Sequence, residues 1–291
     1  MAGGDRISVL IPLYNAEKYI RSCLDSVLHQ DYEELEVIVL DDGSTDNSGE
    51  TVKSFTDGRL RYYRTENRGV ASARNTLLSL ASSPFILFVD ADDILSPGFI
   101  SSLKRELDCT SADAAAGKVV SFRGCDKIRT GKKGSVVYTG EEFAHLMVKP
   151  FSLYCYSHSR LMKKSLFDGI TFPEGRIFED VFVMPRVMLK AEKVVLVNDA
   201  VYNYRINHSG LSHGKFRPES FDEMDAYLSN VELGVERKDR KLVKYSGIFF
   251  LTKYHYYYWR VILHGMGIKE YRERYEEEKT RVRRLMMEKN L

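Results

Sequence analysis

The sequence has few cysteines and no long apolar run. Its 4 cysteines in 291 residues form neither a CxxC pair nor a Cys/His metal spacing. This argues against a disulfide framework and a zinc site, and it favours a reducing, cytoplasmic location. No stretch of about 18 apolar residues is present, and the first residues lack the apolar core of a secretory signal. We therefore expect a protein that neither enters nor spans a membrane by itself.

An excess of charge and the common glycine-rich phosphate motifs are also lacking. Lys plus Arg number 43 against 41 for Asp plus Glu, so the net charge of +2 gives no electrostatic case for binding nucleic acid. No GxGxxG follows the first apolar run, and no GxxxxGK[ST] occurs, which argues against a dinucleotide-binding fold and a P-loop. Any function that depends on charge must be local.

Short apolar runs alternate with helical patterns over the first hundred residues. The runs are rich in Val and Ile, as are strands buried on both faces, and the alternation predicts an α/β fold with parallel strands. The predicted strands are "ISVLIP" (7–12), "LEVIVL" (35–40), "LRYY" (60–63) and "FILFV" (85–89), and the predicted helices run near 19–28, with Asn15 as the cap, 46–55 and 70–80. Ligands of such sheets bind beyond the carboxyl ends of the strands.

Polar segments follow three of these strands. They are "PLYN" (12–15), "DDGSTDNS" (41–48) and "DADD" (90–93). Their carboxylates are hard ligands that suit Mg²⁺ or Mn²⁺, and such a cation would neutralise acids that otherwise repel one another and would gather the oxygens of a diphosphate. Taken singly, the acids before Gly43 also suit an ordinary turn, and those of "DADD" suit a solvated helix start.

Four blocks in this order resemble the family 2 glycosyltransferases, which have the GT-A nucleotide-sugar-binding fold. The blocks are "ISVLIPLYNAEKYIRSCLDSVLHQ", "LEVIVLDDGSTDNS", "NRGVASARN" and "FVDADD". The resemblance covers residues 7–100, continues over 150–212 and is absent beyond. It implies a mostly parallel central sheet flanked by helices, with a nucleotide-sugar-binding half (1–100), an acceptor-binding half (101–218) and a helical C-terminal region (219–291).

The resemblance also assigns roles to individual residues of the first half. The nucleotide-binding set is Pro12, Tyr14, Asp41, Asp42, Arg74 and Asp90. Of these, Asp41 and Asp42 would contact the base, Asp90 the ribose and Arg74 the diphosphate. Asp92 would bind the metal, and Asp93 could share either the role of Asp92 on the metal or that of Asp90 on the ribose.

In the second half, "PEGRIFEDVFVMPRVMLKA" (173–191) predicts a helix with Glu179 and Asp180 in its first turn. Acids there complement the helix dipole, which is a sufficient structural role. The family places a catalytic base in such a pair, and Asp180 matches it; we expect the dipole and the metal to keep it ionised. The segment "AVYNYRINHSGLSH" (200–213) resembles the family's closing segment, whose matching residues, Arg205, His208 and Ser212, would approach the leaving diphosphate.

The function implied is inverting transfer of a sugar, with UDP as the expected carrier, to a hydroxyl of a saccharide or lipid-linked saccharide. The reaction would be metal-dependent and would serve surface polysaccharide or glycoconjugate synthesis. Two alternatives stay open. Sugar nucleotidyltransferases also combine an α/β sheet with acidic metal ligands, although "PLYNAEKYI" (12–20) lacks the Gly-rich segment that they carry there. A non-catalytic nucleotide-binding module is the other.

The region 245–268 is dense in aromatic residues but contains Lys253, His255 and Arg260, which make it too polar to span a membrane. A helix packed in the core is one interpretation. The other is a surface that contacts the cytoplasmic face of the inner membrane, or a second copy of the chain, because Tyr and Trp beside cations suit both partners.

Overall fold

A central β-sheet organises the computed structural model, which describes residues 6–123, 128–149, 155–207, 218–263 and 268–288. Its first half is parallel, in the order β3-β2-β1-β4. These strands are β1 (Ile7–Leu13), β2 (Leu35–Asp42), β3 (Leu60–Thr65) and β4 (Phe85–Phe88). Strands β1 and β2 are buried along nearly their whole length, as their continuous apolar sequences predict.

The second half of the sheet is mixed. Its strands are β5 (Ile94–Leu95), β6 (Ala114–Phe122), β7 (Ser135–Thr139), β8 (Arg160–Lys163) and β9 (Lys193–Arg205). Strand β8 runs antiparallel to both β4 and β6, whereas β6 and β9 are parallel, and β9 also pairs antiparallel with β5 and β7. The predicted α/β class with a GT-A-type sheet is confirmed, and its parallel order is concentrated in the first half.

Helices cover both faces of this sheet. They are α1 (Ile20–Leu28), α2 (Ser48–Lys53), α3 (Val70–Leu80), α4 (Phe99–Thr110), α5 (Gly140–Met147) and α6 (Glu179–Met188). Helix α1 buries Ile20, Cys23, Leu24, Val27 and Leu28, the apolar stripe seen in the sequence. The prediction that Asn15 caps this helix is wrong. Tyr19 occupies the cap position, and Asn15 Oδ1 instead accepts a hydrogen bond from the Thr45 amide at 2.8 Å.

Three long helices follow the sheet: α7 (Asp222–Arg237), α8 (Arg240–Leu263) and α9 (Ile268–Met287). The inner face of α8 buries Phe250, Tyr254, Tyr257 and Val261, so much of the aromatic cluster is packing. One hydrophobic cluster runs from the sheet through α6 into these helices. The C-terminal region is therefore helical, as expected, and it shares a core with the sheet.

The described helices are too short or too polar to cross a bilayer core. None of them, including the 24-residue α8, combines the length and the apolar character needed to cross a membrane.

Candidate active site

A cavity of about 470 Å³ opens where β4 and β9 end. Its walls come from α3 and the segment after β4, from residues 155–207, and from the C-terminal helices. Five of the predicted site residues line it: Arg74, Asp90, Asp92, Asp180 and Arg205. Ligands of α/β folds bind at this end of the strands, so the position of the cavity agrees with the fold.

The "DADD" segment turns sharply after β4. The Asp93 amide donates to the Asp90 carbonyl at 3.1 Å, and the Asp90 amide donates to Tyr202 Oη at 3.0 Å. The turn buries Asp93, whose Oδ1 accepts from the Arg205 amide at 2.7 Å, and leaves Asp90 and Asp92 on the cavity wall. The buried acid therefore ties this turn to the end of β9.

Crowding of these acids shifts their protonation. Burial and the neighbouring Asp90 raise the pKa of Asp92 to about 6. Burial, then the charges of Asp92 and Asp90, raise the pKa of Asp93 well above its ordinary value. Each ionised form is thus disfavoured by its neighbours, and a bound cation would reverse that effect.

The donor set fits a divalent metal. Ligand atoms of Asp90, Asp93 and His158 lie within 4.8 Å of one another. The buried His158 ring has no hydrogen-bond partner among the described residues, and burial lowers its pKa to about 4, so it is neutral and free to coordinate. Carboxylates suit Mg²⁺ or Mn²⁺, and a neutral imidazole beside them favours Mn²⁺, the softer of the two ions. Asp92 lies at the cavity surface beside this group.

Arg74 connects the two acidic segments. Its buried guanidinium pairs with Asp90 at 3.1 Å and also contacts Glu179 Oε1, at the start of α6. The family resemblance predicts that Arg74 lies near a diphosphate. In this structure it faces the same cavity and already neutralises one acid from each wall. It therefore holds the "DADD" turn against α6.

Helix α6 presents Asp180 to the cavity. Phe178, just before the helix, adopts a left-handed conformation with φ of 58°, and Asp180 Oδ1 accepts from the Val181 amide at 2.9 Å. Burial raises the pKa of Asp180 to about 6, with Arg74 opposing and Asp90 adding to the shift. Burial thus acts against the expected effect of the helix dipole, which favours the ionised form. The group is still mostly ionised at pH 7 and can accept a proton.

The predicted base-binding acids lie at the end of β2, beside this cavity and outside its lining. Asp41 accepts from the Ser44 amide and from Tyr62 Oη, both at 2.7 Å. Asp42 accepts from the amides of Arg68 at 2.9 Å and Gly69 at 2.8 Å. Both acids therefore order the loops after β2 and β3.

Pro12 and Tyr14 lie at the neighbouring end of β1, and they too are outside the cavity lining. The Tyr14 side chain is exposed, so its ring can receive a ligand. Gly43 forms the turn after β2 with φ of 75°, and a Cβ there would lie 2.7 Å from the Asn67 nitrogen.

The closing segment is described only in part. Arg205 Nε donates to the Asp92 carbonyl at 2.7 Å, and its guanidinium lies 4.9 Å from the Tyr19 ring and 4.6 Å from the Phe122 ring. Arg205 is thus held beside the "DADD" turn. His208 and Ser212 lie outside the described residues.

The lining residues without a site role in the sequence analysis include His158 and Tyr156, and three residues of the C-terminal helices: Glu223, Tyr227 and Lys253. The last three belong to α7 and α8. Glu223 and Tyr227 are four residues apart, so they share one face of α7, and both are largely buried. An acid on the buried face of a helix was the signal available, but nothing in the sequence alone indicates which partner that face meets.

Helix α7 also fixes the turn before Asp180. Asp222 accepts from the Ile177 amide at 3.0 Å and pairs with Arg176 at 2.6 Å, while Asn230 Nδ2 donates to the Val181 carbonyl at 2.9 Å. These contacts hold both sides of the first turn of α6. Asp180 and the C-terminal helices are therefore mechanically connected.

We expect Asp222→Ala to loosen this turn. The change removes hydrogen bonds to a largely buried charge, which typically contribute about 1.5–3 kcal/mol. Hydrogen exchange of the amides at 176–181 should accelerate, with a lower melting temperature. Glu174→Gln is the control, because it breaks only an exposed pair with Arg68 in the same segment and should change stability by less than about 1 kcal/mol. Unchanged hydrogen exchange of these amides in Asp222→Ala would contradict the role of α7 in holding this turn.

The mixed sheet and the acid-lined cavity at its strand ends define a protein of the GT-A class. The chain belongs to glycosyl transferase family 2, which it matches over residues 8–171.

Individual relatives agree with this assignment. The chain is 36% identical over 220 residues to glycosyltransferase GlyA of Streptococcus pneumoniae serotype 4, covering 72% of this chain and 32% of GlyA. It is 33% identical over 229 residues to GlyG of the same organism, covering 72% of this chain and 74% of GlyG. The chain thus spans about a third of one relative and three quarters of the other.

A solved structure supports the fold. The crystal structure of Staphylococcus aureus TarS residues 1–349 in complex with UDP-GlcNAc aligns with a TM-score of 0.66 at 24% identity, covering 82% of this chain and 71% of that one.

Proposed function

We propose that this chain transfers a sugar from a UDP-sugar to an acceptor hydroxyl with inversion at the anomeric carbon. The observation that carries the proposal is the placement of Asp180 on one wall of the cavity with Asp90 and Asp92 on another, joined through Arg74. Family membership supports glycosyl transfer, and the binding of UDP-GlcNAc by TarS supports uridine as the carrier.

In this mechanism Asp180 is the general base. The acceptor oxygen bonds to the anomeric carbon as the bond from that carbon to the diphosphate oxygen breaks, and the electrons of that bond leave with UDP. The acceptor proton passes to Asp180, whose pKa of about 6 suits a base at neutral pH. Arg74 holds Asp90 and Glu179 in place, which keeps the two walls aligned.

A divalent cation, Mn²⁺ or Mg²⁺, would be held by Asp92, with Asp93, Asp90 and His158 as the neighbouring donors. When bound, it supplies positive charge to the leaving diphosphate. The support is the cluster of acids with raised pKa and the neutral imidazole beside them.

The uridine would lie along the ends of β1 and β2. We propose Asp41, Asp42, Pro12 and Tyr14 for the base, and Asp90 for the ribose, from their family positions and their adjacency to the cavity. Arg205, His208 and Ser212 are proposed to close on the diphosphate. Arg205 is already held at the "DADD" turn.

The acceptor is proposed to be a saccharide or a lipid-linked saccharide of a surface polysaccharide, made in the cytoplasm. TarS, at 27% identity over 259 residues, is a poly(ribitol-phosphate) β-N-acetylglucosaminyltransferase, which supports a cell-surface product.

Calorimetry with UDP, followed by a donor-hydrolysis assay, tests the function. A nucleotide-binding module would bind UDP without hydrolysing the donor.

The outer face of α8 favours peripheral membrane contact. Tyr256, Trp259, Ile262 and Leu263 are exposed there, with Trp259 at 61% and Leu263 at 77%. Arg260 lies among them, and aromatic residues beside cations suit an anionic membrane surface. We propose that this patch holds the enzyme on the inner face of the membrane, and a second copy of the chain is the alternative partner.

We expect the double change Trp259→Ser and Leu263→Ser to weaken binding to phosphatidylglycerol vesicles by about tenfold or more, because each buried apolar side chain contributes about 1.5–3 kcal/mol. UDP binding should be unchanged. Val137→Ser on β7 is the control, since Val137 is also exposed but lies on the sheet. Vesicle binding by the double variant equal to that of wild type would contradict membrane contact. Light scattering would then test self-association.

A further inference from the structure

One side of the cavity is built entirely by the C-terminal helices. Glu223, Tyr227 and Lys253 line it, and all three lie beyond residues 8–171, over which the chain matches its family. Most donor-side residues lie inside that range, whereas Asp180 and Arg205 lie beyond it. The side of the cavity that comes from α7 and α8 therefore lies outside the family match.

Glu223 and Lys253 form an ordered polar pair on this side. Lys253 Nζ lies 2.8 Å from Glu223 Oε1, and Tyr257 Oη donates to Glu223 Oε2 at 2.8 Å. The carboxylate is fixed from both sides and largely buried. An ammonium has three donors, and this contact uses one, so Lys253 can still donate to a bound oxygen.

Flat aromatic surfaces flank this pair. Tyr227 is stacked on Phe249 with ring centres 4.6 Å apart and planes within 3°. Tyr156 is stacked on His158 at 4.9 Å. Burial raises the pKa of Tyr156 to about 12, with Asp180 as the next cause and Glu223 as a minor one, so these groups share one space. Packed rings beside fixed donors and acceptors can hold a sugar ring and its hydroxyls.

The charge of the lining favours an uncharged ligand. The acids are Asp90, Asp92, Glu179, Asp180 and Glu223, and the cations are Arg74, Arg205 and Lys253. The acids of the lining outnumber its cations, and a bound diphosphate would add further negative charge. A divalent cation would offset either the excess of acids or the charge of the diphosphate, but not both. An anionic acceptor would therefore be repelled from Asp180.

We propose that Glu223, Tyr227 and Lys253 form a subsite that binds an uncharged saccharide acceptor and directs its hydroxyl to Asp180. This subsite rests on the proposed function, because it names the second substrate of the same site. Glu223 and Lys253 hydrogen-bond to the sugar hydroxyls, and Tyr227 and Tyr156 pack against its ring.

The test is saturation-transfer NMR on the full chain with four probes: the methyl β-glycosides of glucose, galactose and N-acetylglucosamine, and ribitol 5-phosphate as the anionic comparison. Each is measured alone and with UDP and Mn²⁺. We expect at least one glycoside to bind, and Lys253→Met and Tyr227→Leu, which removes the flat ring, to weaken that binding by about tenfold, the effect of losing about 1.4 kcal/mol. UDP affinity should stay within twofold. Lys244→Met, an exposed change on the same helix, is the control.

Each outcome decides the proposal. Failure of all three glycosides to bind, or wild-type binding by both variants, overturns the subsite. Stronger binding of ribitol 5-phosphate than of any glycoside overturns the uncharged acceptor. Glycoside binding without UDP binding supports the subsite but overturns the UDP-sugar donor, so the two failures are distinguishable.

Discussion

Asp180→Asn is expected to lower the rate of sugar transfer by about 10²–10⁴-fold, the usual effect of losing a general base. Asn keeps the size of the side chain and can still accept from the Val181 amide, but it cannot take the acceptor proton. UDP affinity should stay near wild type, and the melting temperature should not fall. The measurements are the transfer rate, calorimetry with UDP and a thermal melt.

A helix-dipole role for Asp180 predicts a different result, because a first-turn acid contributes only about 0.3–1 kcal/mol to stability. Glu141→Gln, in the first turn of α5, is the matched control and should leave transfer unchanged. If Asp180→Asn transfers sugar within a few-fold of wild type, the base is Glu179 or another acid.

The same group sets an expected pH dependence. Only ionised Asp180 accepts a proton, and its pKa is about 6 in the folded protein against an ordinary value of 3.8. Transfer should therefore fall as the pH drops through about 6. The stability of the fold depends on pH in the opposite direction to the transfer rate. The folded state holds this proton more tightly than the unfolded state does, so ionisation lowers the stability as the pH rises from about 4 to 6. Asp180→Asn should lack that loss of stability.

Asp92→Ala is expected to abolish the metal dependence of UDP binding. Wild type should bind UDP more tightly with Mn²⁺ than with a chelator present, and the variant should bind weakly in both conditions. The fold should remain intact, because Asp92 lies at the cavity surface and its removal relieves repulsion with Asp90. Calorimetry in the two conditions gives the result.

Two comparisons sharpen this test. Asp108→Ala removes an exposed acid of α4 and should respond to Mn²⁺ like wild type. His158→Phe keeps a ring in the aromatic stack but removes both nitrogens, so a weaker Mn²⁺ response would show that His158 is also a ligand. Tight UDP binding by Asp92→Ala, with an unchanged response to Mn²⁺ or Mg²⁺, would refute the assignment of Asp92.

The strands and polar segments of residues 1–100 could be predicted from the sequence because their signals are local. Each polar segment directly follows a buried apolar strand, and parallel strands bring those ends to one edge. Asp90 and Asp92 reach the cavity for this reason. The mixed second half was harder, since β6 begins with "AAA" and has no strong strand pattern of its own.

The rest of the site depends on contacts between distant segments. Arg74 meets Glu179, and Lys253 meets Glu223, only after separate helices have packed together. The raised pKa of Asp180 could not be predicted for the same reason. A helix dipole is visible in a sequence, whereas burial against α7 is set by tertiary packing.

The most direct test of the central claim is a screen of nucleotide sugars with the full chain, measuring the release of nucleoside diphosphate with and without Mn²⁺. The account predicts metal-dependent release of UDP from a UDP-sugar by wild type and almost none by Asp180→Asn. No release from any donor, or formation of a nucleotide sugar and pyrophosphate from a sugar 1-phosphate and a nucleoside triphosphate, would contradict it.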